Sequence, residues 1–187
     1  NAEGSFDIYC TGSNANLLSR DLSTLLAGRS IEINVFALTY QEFLRFHELE
    51  NSDDTLRLYL RYGGLPYLRH LQLEDEIVFD YLRNIYQTIL YRDIVSRHQL
   101  RNCDVLERLV AFLSDNVGSP VSARRISEFL KSQQLQNSPR VILDYLKHLS
   151  EACFVHNVPR YDIKGKKLLE VNEKYYFGDL GLRNAVV

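Results

Sequence analysis

The sequence predicts a mainly helical α+β protein: a βαβ unit comes first, a helical linker follows, and a winged helix-turn-helix closes the chain. Three observations lead there. Between Asp104 and Phe177, three apolar-periodic segments precede two β-rich runs joined by a basic turn. Between Asp75 and Arg97, apolar residues recur at helical spacing without a break. Ahead of both, a strand-prone run, a helical run and a second strand-prone run are joined by short links.

Phe6 to Thr11 is apolar and β-prone and ends in Gly12-Ser13-Asn14. Ala15 to Leu26 then has helical spacing, with Leu17, Leu18, Leu22, Leu25 and Leu26 as its buried set. Ile31 to Phe36 alternates, with Ile31, Ile33 and Val35 on one face. A strand, a helix and a strand so connected should give parallel neighbours. Two strands alone are not a stable sheet, so the remainder is expected from elsewhere, and self-association through the incomplete sheet is the expected consequence.

Thr39 to Leu49 reads as a short helix begun by a capping box, Thr39 with Glu42. Glu50 to Asp54 reads as an acidic surface loop, and Thr55 to Tyr62 as a helix closed by Gly63-Gly64-Leu65-Pro66. In the long helix Asp75 to Arg97, Ile77, Tyr81, Ile85 and Ile89 lie four apart, with Val78, Leu82 and Tyr86 beside them. Ile77-Val78-Phe79-Asp80 has the look of an apolar strand ending in a magnesium-holding Asp. The helical period continuing through it argues against that reading.

A polar break at Asn102 to Asp104 separates this helix from the last unit. Val105 to Asn116, Ala123 to Gln133 and Pro139 to Cys153 are its predicted helices, with Ser122 and Ser138 as N-caps and Pro139 at a first helical position. Arg140, Asp144, Lys147, His148 and Glu151 fall on the exposed face of the third. Phe154 to Asp162 and Leu168 to Phe177 then change to a period near two, around the turn Ile163-Lys164-Gly165-Lys166-Lys167.

A 187-residue chain with 45% hydrophobic residues can bury a proper core. A net charge of -2 argues against a protein that coats nucleic acid generally. The charge is uneven, however: residues 104–177 carry 11 basic and 9 acidic side chains, against 10 and 14 in residues 1–103. Cys10, Cys103 and Cys153 are odd in number and lack metal-ligand spacing, which reads as reduced thiols acting as small core residues. No apolar run approaches the ~18 residues of a membrane span, so no membrane partner is expected and the cytoplasm is the default location. His47, His70, His98, His148 and His156 stand at no metal-binding interval, so no metal site is expected. Ser13 has no nearby histidine to activate it, and acyl transfer has no support.

Six stretches carry a resemblance. They are Ile8-Tyr9-Cys10-Thr11-Gly12-Ser13, Leu26-Ala27-Gly28-Arg29, Phe36-Ala37-Leu38-Thr39-Tyr40-Gln41-Glu42-Phe43, Tyr62-Gly63-Gly64-Leu65-Pro66, Tyr91-Arg92-Asp93-Ile94, and Lys174-Tyr175-Tyr176-Phe177-Gly178-Asp179-Leu180-Gly181-Leu182. In order and spacing the chain resembles the prokaryotic AAA+/STAND-type ATPases that carry a domain of unknown function, DUF4143. The resemblance implies that residues 1–49 are the C-terminal part of a P-loop ATPase core, 50–103 a helical lid or linker, and 104–187 a winged-helix domain. No G-x-x-x-x-G-K-[ST] motif occurs, so the Walker A and Walker B portions have no counterpart. ATP and Mg are therefore implied for a longer parent ATPase and not for this chain alone.

By resemblance, Thr11 and Ser13 match a polar sensor of the γ-phosphate, and Arg29 matches an arginine that reads phosphate charge. Gly64 and Pro66 match a lid motif lying close to bound nucleotide. Each has a plainer reading beside it: a strand-to-helix turn, a surface arginine, and a helix C-cap followed by Pro. The function expected is the coupling of nucleotide state to a partner protein or to DNA, the chain itself being inactive. The alternative is a winged-helix DNA-binding module, which would use Arg124, Arg125, Arg140, Lys147, Lys164, Lys166 and Lys167 against phosphates, with His148 beside them.

Overall fold

A computed structural model of the chain describes residues 9, 11, 12, 31, 33–165 and 167–187, with the backbone alone for 167–171. Among these residues the protein is mainly helical, with seven α-helices and one two-stranded antiparallel sheet, an α+β arrangement.

Helix α1 (Tyr40–His47) starts with the expected capping box. The Thr39 amide donates to Glu42 Oε2 at 2.8 Å, and the Glu42 amide donates to Thr39 Oγ1 at 3.4 Å. Helix α2 (Asp53–Tyr62) begins two residues before the predicted start, because Ser52 forms a second reciprocal cap with Thr55. Asp53 and Asp54, read as loop, are its first turn, where the helix dipole favours carboxylates. Pro66 then opens a 3-10 turn (Pro66–His70), where its missing N–H costs nothing.

Helix α3 (Asp75–Gln87) follows the predicted long helix only as far as Gln87; Thr88–Ser96 is π-helical. The hydroxyl of Thr88 donates to the Asn84 carbonyl at 2.8 Å and competes with the regular ladder where the helix widens. Apolar spacing does not reveal this change, since Leu90 and Ile94 remain buried four apart. The sequence Ile77-Val78-Phe79-Asp80 lies within α3, so it is not a strand.

Three helices follow: α4 (Cys103–Asp115), α5 (Ala123–Ser132) and α6 (Pro139–Glu151). Asn102, Ser122 and Ser138 cap them, each accepting the backbone N–H three residues on. A hairpin of β1 (Val155–Asp162) and β2 (Lys167–Phe177) comes next. Its register slips between Val158 and Arg160, at Pro159, which has no N–H to offer the ladder. Val121, ahead of α5, adds a bridge to Glu173. A last helix, α7 (Leu180–Val186), follows the hairpin and lies beyond the elements predicted from the sequence.

One apolar cluster runs through these elements. Val78, Leu82, Leu90 and Ile94 join Leu106, Leu109, Ile126, Leu130, Ile142, Leu149 and Phe154, all buried. Each such side chain contributes about 1.5–3 kcal/mol on burial. The polar break at Asn102 is therefore no break in the core.

Two expectations are corrected. Ile31 to Phe36 forms no strand in its described residues, and Ile31, Ile33, Val35 and Phe36 are 91%, 74%, 91% and 68% exposed. Among the described residues no strand lies beside this run to offer backbone partners, and a lone strand is not stable. Phe6 to Thr11 and Ala15 to Leu26 lie largely or wholly outside the described residues. Cys153 is not a core residue: it is exposed, at φ 54, in the turn where α6 hands over to β1, while Cys103 is half-buried. Among the described residues no helix is long and apolar enough to cross a membrane.

Candidate functional site

The Gly63-Gly64-Leu65-Pro66 and Gly178-Asp179-Leu180-Gly181 stretches meet. Helix α2 ends at Gly63, whose φ of 80 and ψ of -163 belong to glycine alone. That backbone turn aims the next amide inward, and Gly64 N–H donates to Asp179 Oδ2 at 2.6 Å. The other carboxylate oxygen accepts from Leu182 N–H at 2.9 Å, so Asp179 also caps α7.

The approach is tight. A Cβ on Gly63 would lie 2.3 Å from Asp179 Oδ1, and one on Gly181 would lie 1.9 Å from the Tyr62 carbonyl oxygen. On its other side Gly64 accepts from the Leu38 amide at 2.8 Å, and the Leu38 carbonyl accepts from the Tyr59 hydroxyl at 2.9 Å. Leu38 belongs to the segment leading into α1, so three distant stretches converge on one glycine.

Asp179 is buried. Burial pushes its carboxyl above the ordinary carboxylate range, while the amides of Gly64, Leu182 and Gly181 pull in the opposite direction by favouring the charged form. Asn184 donates to the carbonyls of Leu60 and Arg61 at 2.9 and 2.8 Å, and Arg183 reaches the Ser114 carbonyl at the end of α4. The node thus joins the start of α1, the end of α2, the end of α4 and all of α7.

Of the predicted nucleotide-facing residues, Thr11 is exposed, and Ser13 and Arg29 lie outside the described residues. Gly64 has its N–H committed to Asp179, so a nucleotide could take that donor only by displacing a carboxylate. Pro66 is exposed at the head of the 3-10 turn. Asp179 was missed as a site residue. Its signal was present: an Asp two residues after an aromatic strand end and just ahead of an apolar run is an N-cap pattern.

The basic residues divide. Arg124 pairs with Glu128 at 2.9 Å and Lys147 with Glu151 at 3.7 Å. Arg125, Arg140 and Lys164 are exposed and make no ion pair among the described residues. Lys167 opens β2, and Lys166 lies outside the described residues. His148 and Glu151 are not on an exposed face: both are half-buried, and His148 stacks on His98 with ring centroids 3.5 Å apart.

A family described as "Domain of unknown function (DUF8612)" matches residues 53–187, and one described as "AAA domain" matches residues 1–44. The DUF8612 match replaces the DUF4143 domain that the resemblance implied. The AAA match agrees with an ATPase-like segment at the front of the chain. An uncharacterized protein of Haemophilus influenzae is 36% identical over 185 residues, 97% of this chain and 46% of the relative. Another, of Methanocaldococcus jannaschii, is 28% identical over 180 residues, 89% of this chain and 40% of the relative. The chain spans less than half the length of the curated relatives it matches.

Proposed function

The chain belongs to the family described as domain of unknown function DUF8612, and from that footing we propose that it is the lid and winged-helix portion of a P-loop, AAA+/STAND-like ATPase, which couples nucleotide state to a partner. The Gly64–Asp179 bond carries the reading. The AAA match ends at residue 44, inside α1, and the backbone of Leu38 within it is hydrogen-bonded to Gly64. Gly64 N–H can donate to Asp179 or to another anion, not to both. A competing anion at Gly64 would free the carboxylate that caps α7. Arg183 and Asn184 would carry that release to the ends of α4 and α2.

ATP and Mg belong to the longer protein in this reading. In this reading the chain by itself does not hydrolyse ATP. The order α4, α5, α6, β1, β2 supports the winged-helix assignment, with Val121 bridging to β2.

ATP hydrolysis by the full-length Haemophilus influenzae relative tests the class, since this chain corresponds to 46% of it. Steady magnesium-dependent hydrolysis is expected. A purified, folded relative with none would remove the ATPase reading. The DNA-binding alternative rests on Arg125, Arg140 and Lys164, and salt-dependent binding of duplex DNA to this chain decides it.

A further inference from the structure

We propose that His98, His148 and Glu151 form a binding site for one zinc-class divalent cation, which clamps the end of the π-helical stretch to α6. Their ligand atoms all lie within 4.8 Å of one another. Two come from one face of α6, at i and i+3, and the third from just past Ser96 on a different element. Sequence spacing hid the site because 49 intervening positions separate His98 from His148.

The arrangement is poorly explained as ordinary packing. His98 Nε2 is buried and has no hydrogen-bond partner, which is costly for a polar atom. His148 Nδ1 stands 3.4 Å from Glu151 Oε2, long for a hydrogen bond. That separation is close to the ~3.3 Å between ligands on a tetrahedral metal with bonds of about 2.0–2.1 Å. The rings of His98 and His148 stack at an interplanar angle of 19°, so each imidazole would have to turn out of that stack about its Cβ–Cγ bond to aim its lone pair at a shared ion.

The surroundings favour a neutral imidazole at His98. Burial pushes His98 below the ordinary histidine range, with His148, Arg97 and Lys147 acting the same way and Glu151 opposing. Neutral imidazole is the ligating form. Two imidazoles and one carboxylate select zinc-class ions over magnesium or calcium. Lys147 lies 3.7 Å from Glu151 Oε1 and competes for that carboxylate, which weakens the site.

The test is calorimetric titration of the full chain with zinc chloride, repeated with His98→Asn, His148→Asn and Glu151→Gln, and with His47→Asn as a control that also has a buried unpartnered Nε2. One equivalent of zinc is expected, weakened roughly tenfold or more in each of the three variants and unchanged in the control. Cobalt substitution should give visible absorption of a four-coordinate ion without a thiolate charge-transfer band. Far-UV circular dichroism without metal verifies the fold of each variant, and Glu151→Gln keeps the side-chain shape if the histidine variants unfold. No saturable binding, or binding that persists in all three variants, overturns the site.

Discussion

The guanidinium of Arg183 straddles the carbonyl of Ser114, with Nη2 at 2.8 Å and Nε at 3.1 Å. Asn184, its neighbour, closes the carbonyls of Leu60 and Arg61. The last carbonyls of a helix have no partner within it. Two adjacent residues of α7 therefore finish two helices, α4 and α2, that come from either side of the polar break. A seven-residue helix does not persist alone, and these bonds with the Asp179 cap hold it. Arg183→Ala should cost about 1.5–3 kcal/mol in urea denaturation, the usual worth of hydrogen bonds to a charged group. A loss inside ±0.5 kcal/mol would mean that α7 does not brace the fold.

Asp179→Ala removes the acceptor of two amides at once. It should destabilise the protein by about 2–4 kcal/mol, a cap lost and a buried amide left unpaired. Asp179→Asn should fall between wild type and Ala, because it keeps one acceptor oxygen and turns an NH2 group toward an N–H. Equal stability of all three proteins would remove the node from any structural role. Hydrogen exchange at Gly64 gives an independent reading: its amide should exchange faster in both variants.

Helices and hairpin were legible because their signals are local. Thr39 with Glu42, Ser138 with Pro139, and the alternation after Cys153 each encode an element within a few residues. The Gly64–Asp179 bond spans 115 positions, and no local pattern pairs two glycines with a distant carboxylate. The sequence marked both motifs as parts of one resemblance without indicating that they touch. The π-helical stretch escaped because π and α windings bury the same Leu90 and Ile94. His98 and His148 escaped because metal-site spacing rules describe ligands on one element or one loop.

Acid should weaken the fold through its histidines. Burial holds His47 and His98 below their ordinary value of 6.5. Below 6.5 the unfolded chain binds these protons more readily than the folded one, so their contribution is present above 6.5 and is lost as pH falls through the depressed folded values. Asp179 acts the other way at lower pH, since its raised folded value favours the protonated native state. Melting temperatures measured with EDTA should therefore drop between pH 7 and 5, and His98→Gln should flatten that drop. A melting temperature that rises toward pH 5 would reverse the sign and refute this assignment.

The exposed Ile31, Ile33, Val35 and Phe36 suggest a surface that another chain would cover. Reversible self-association is expected in sedimentation velocity across a concentration series, and Ile33→Lys with Val35→Lys should abolish it. Single-species monomer at every concentration would rule out this segment as a contact between copies.

DNA binding has a sharper form once the cations are sorted. Arg124 and Lys147 already have carboxylate partners, and Asp144 lies exposed between Arg140 and Lys147 on α6. Of the predicted DNA-facing cations, three are exposed and make no ion pair among the described residues: Arg125, Arg140 and Lys164. Each phosphate neutralised contributes a slope of about −0.9 to log K against log salt, so three give roughly −3. Contact limited to these groups should be weak, with Kd about 10⁻⁴–10⁻⁶ M, and insensitive to base sequence. The triple substitution Arg125→Ala, Arg140→Ala, Lys164→Ala should bring the slope near zero. Tight binding with a much steeper slope would require basic groups beyond these three, with Lys166 and Lys167 of the turn the next to test, and would favour the DNA-binding module over the coupling element.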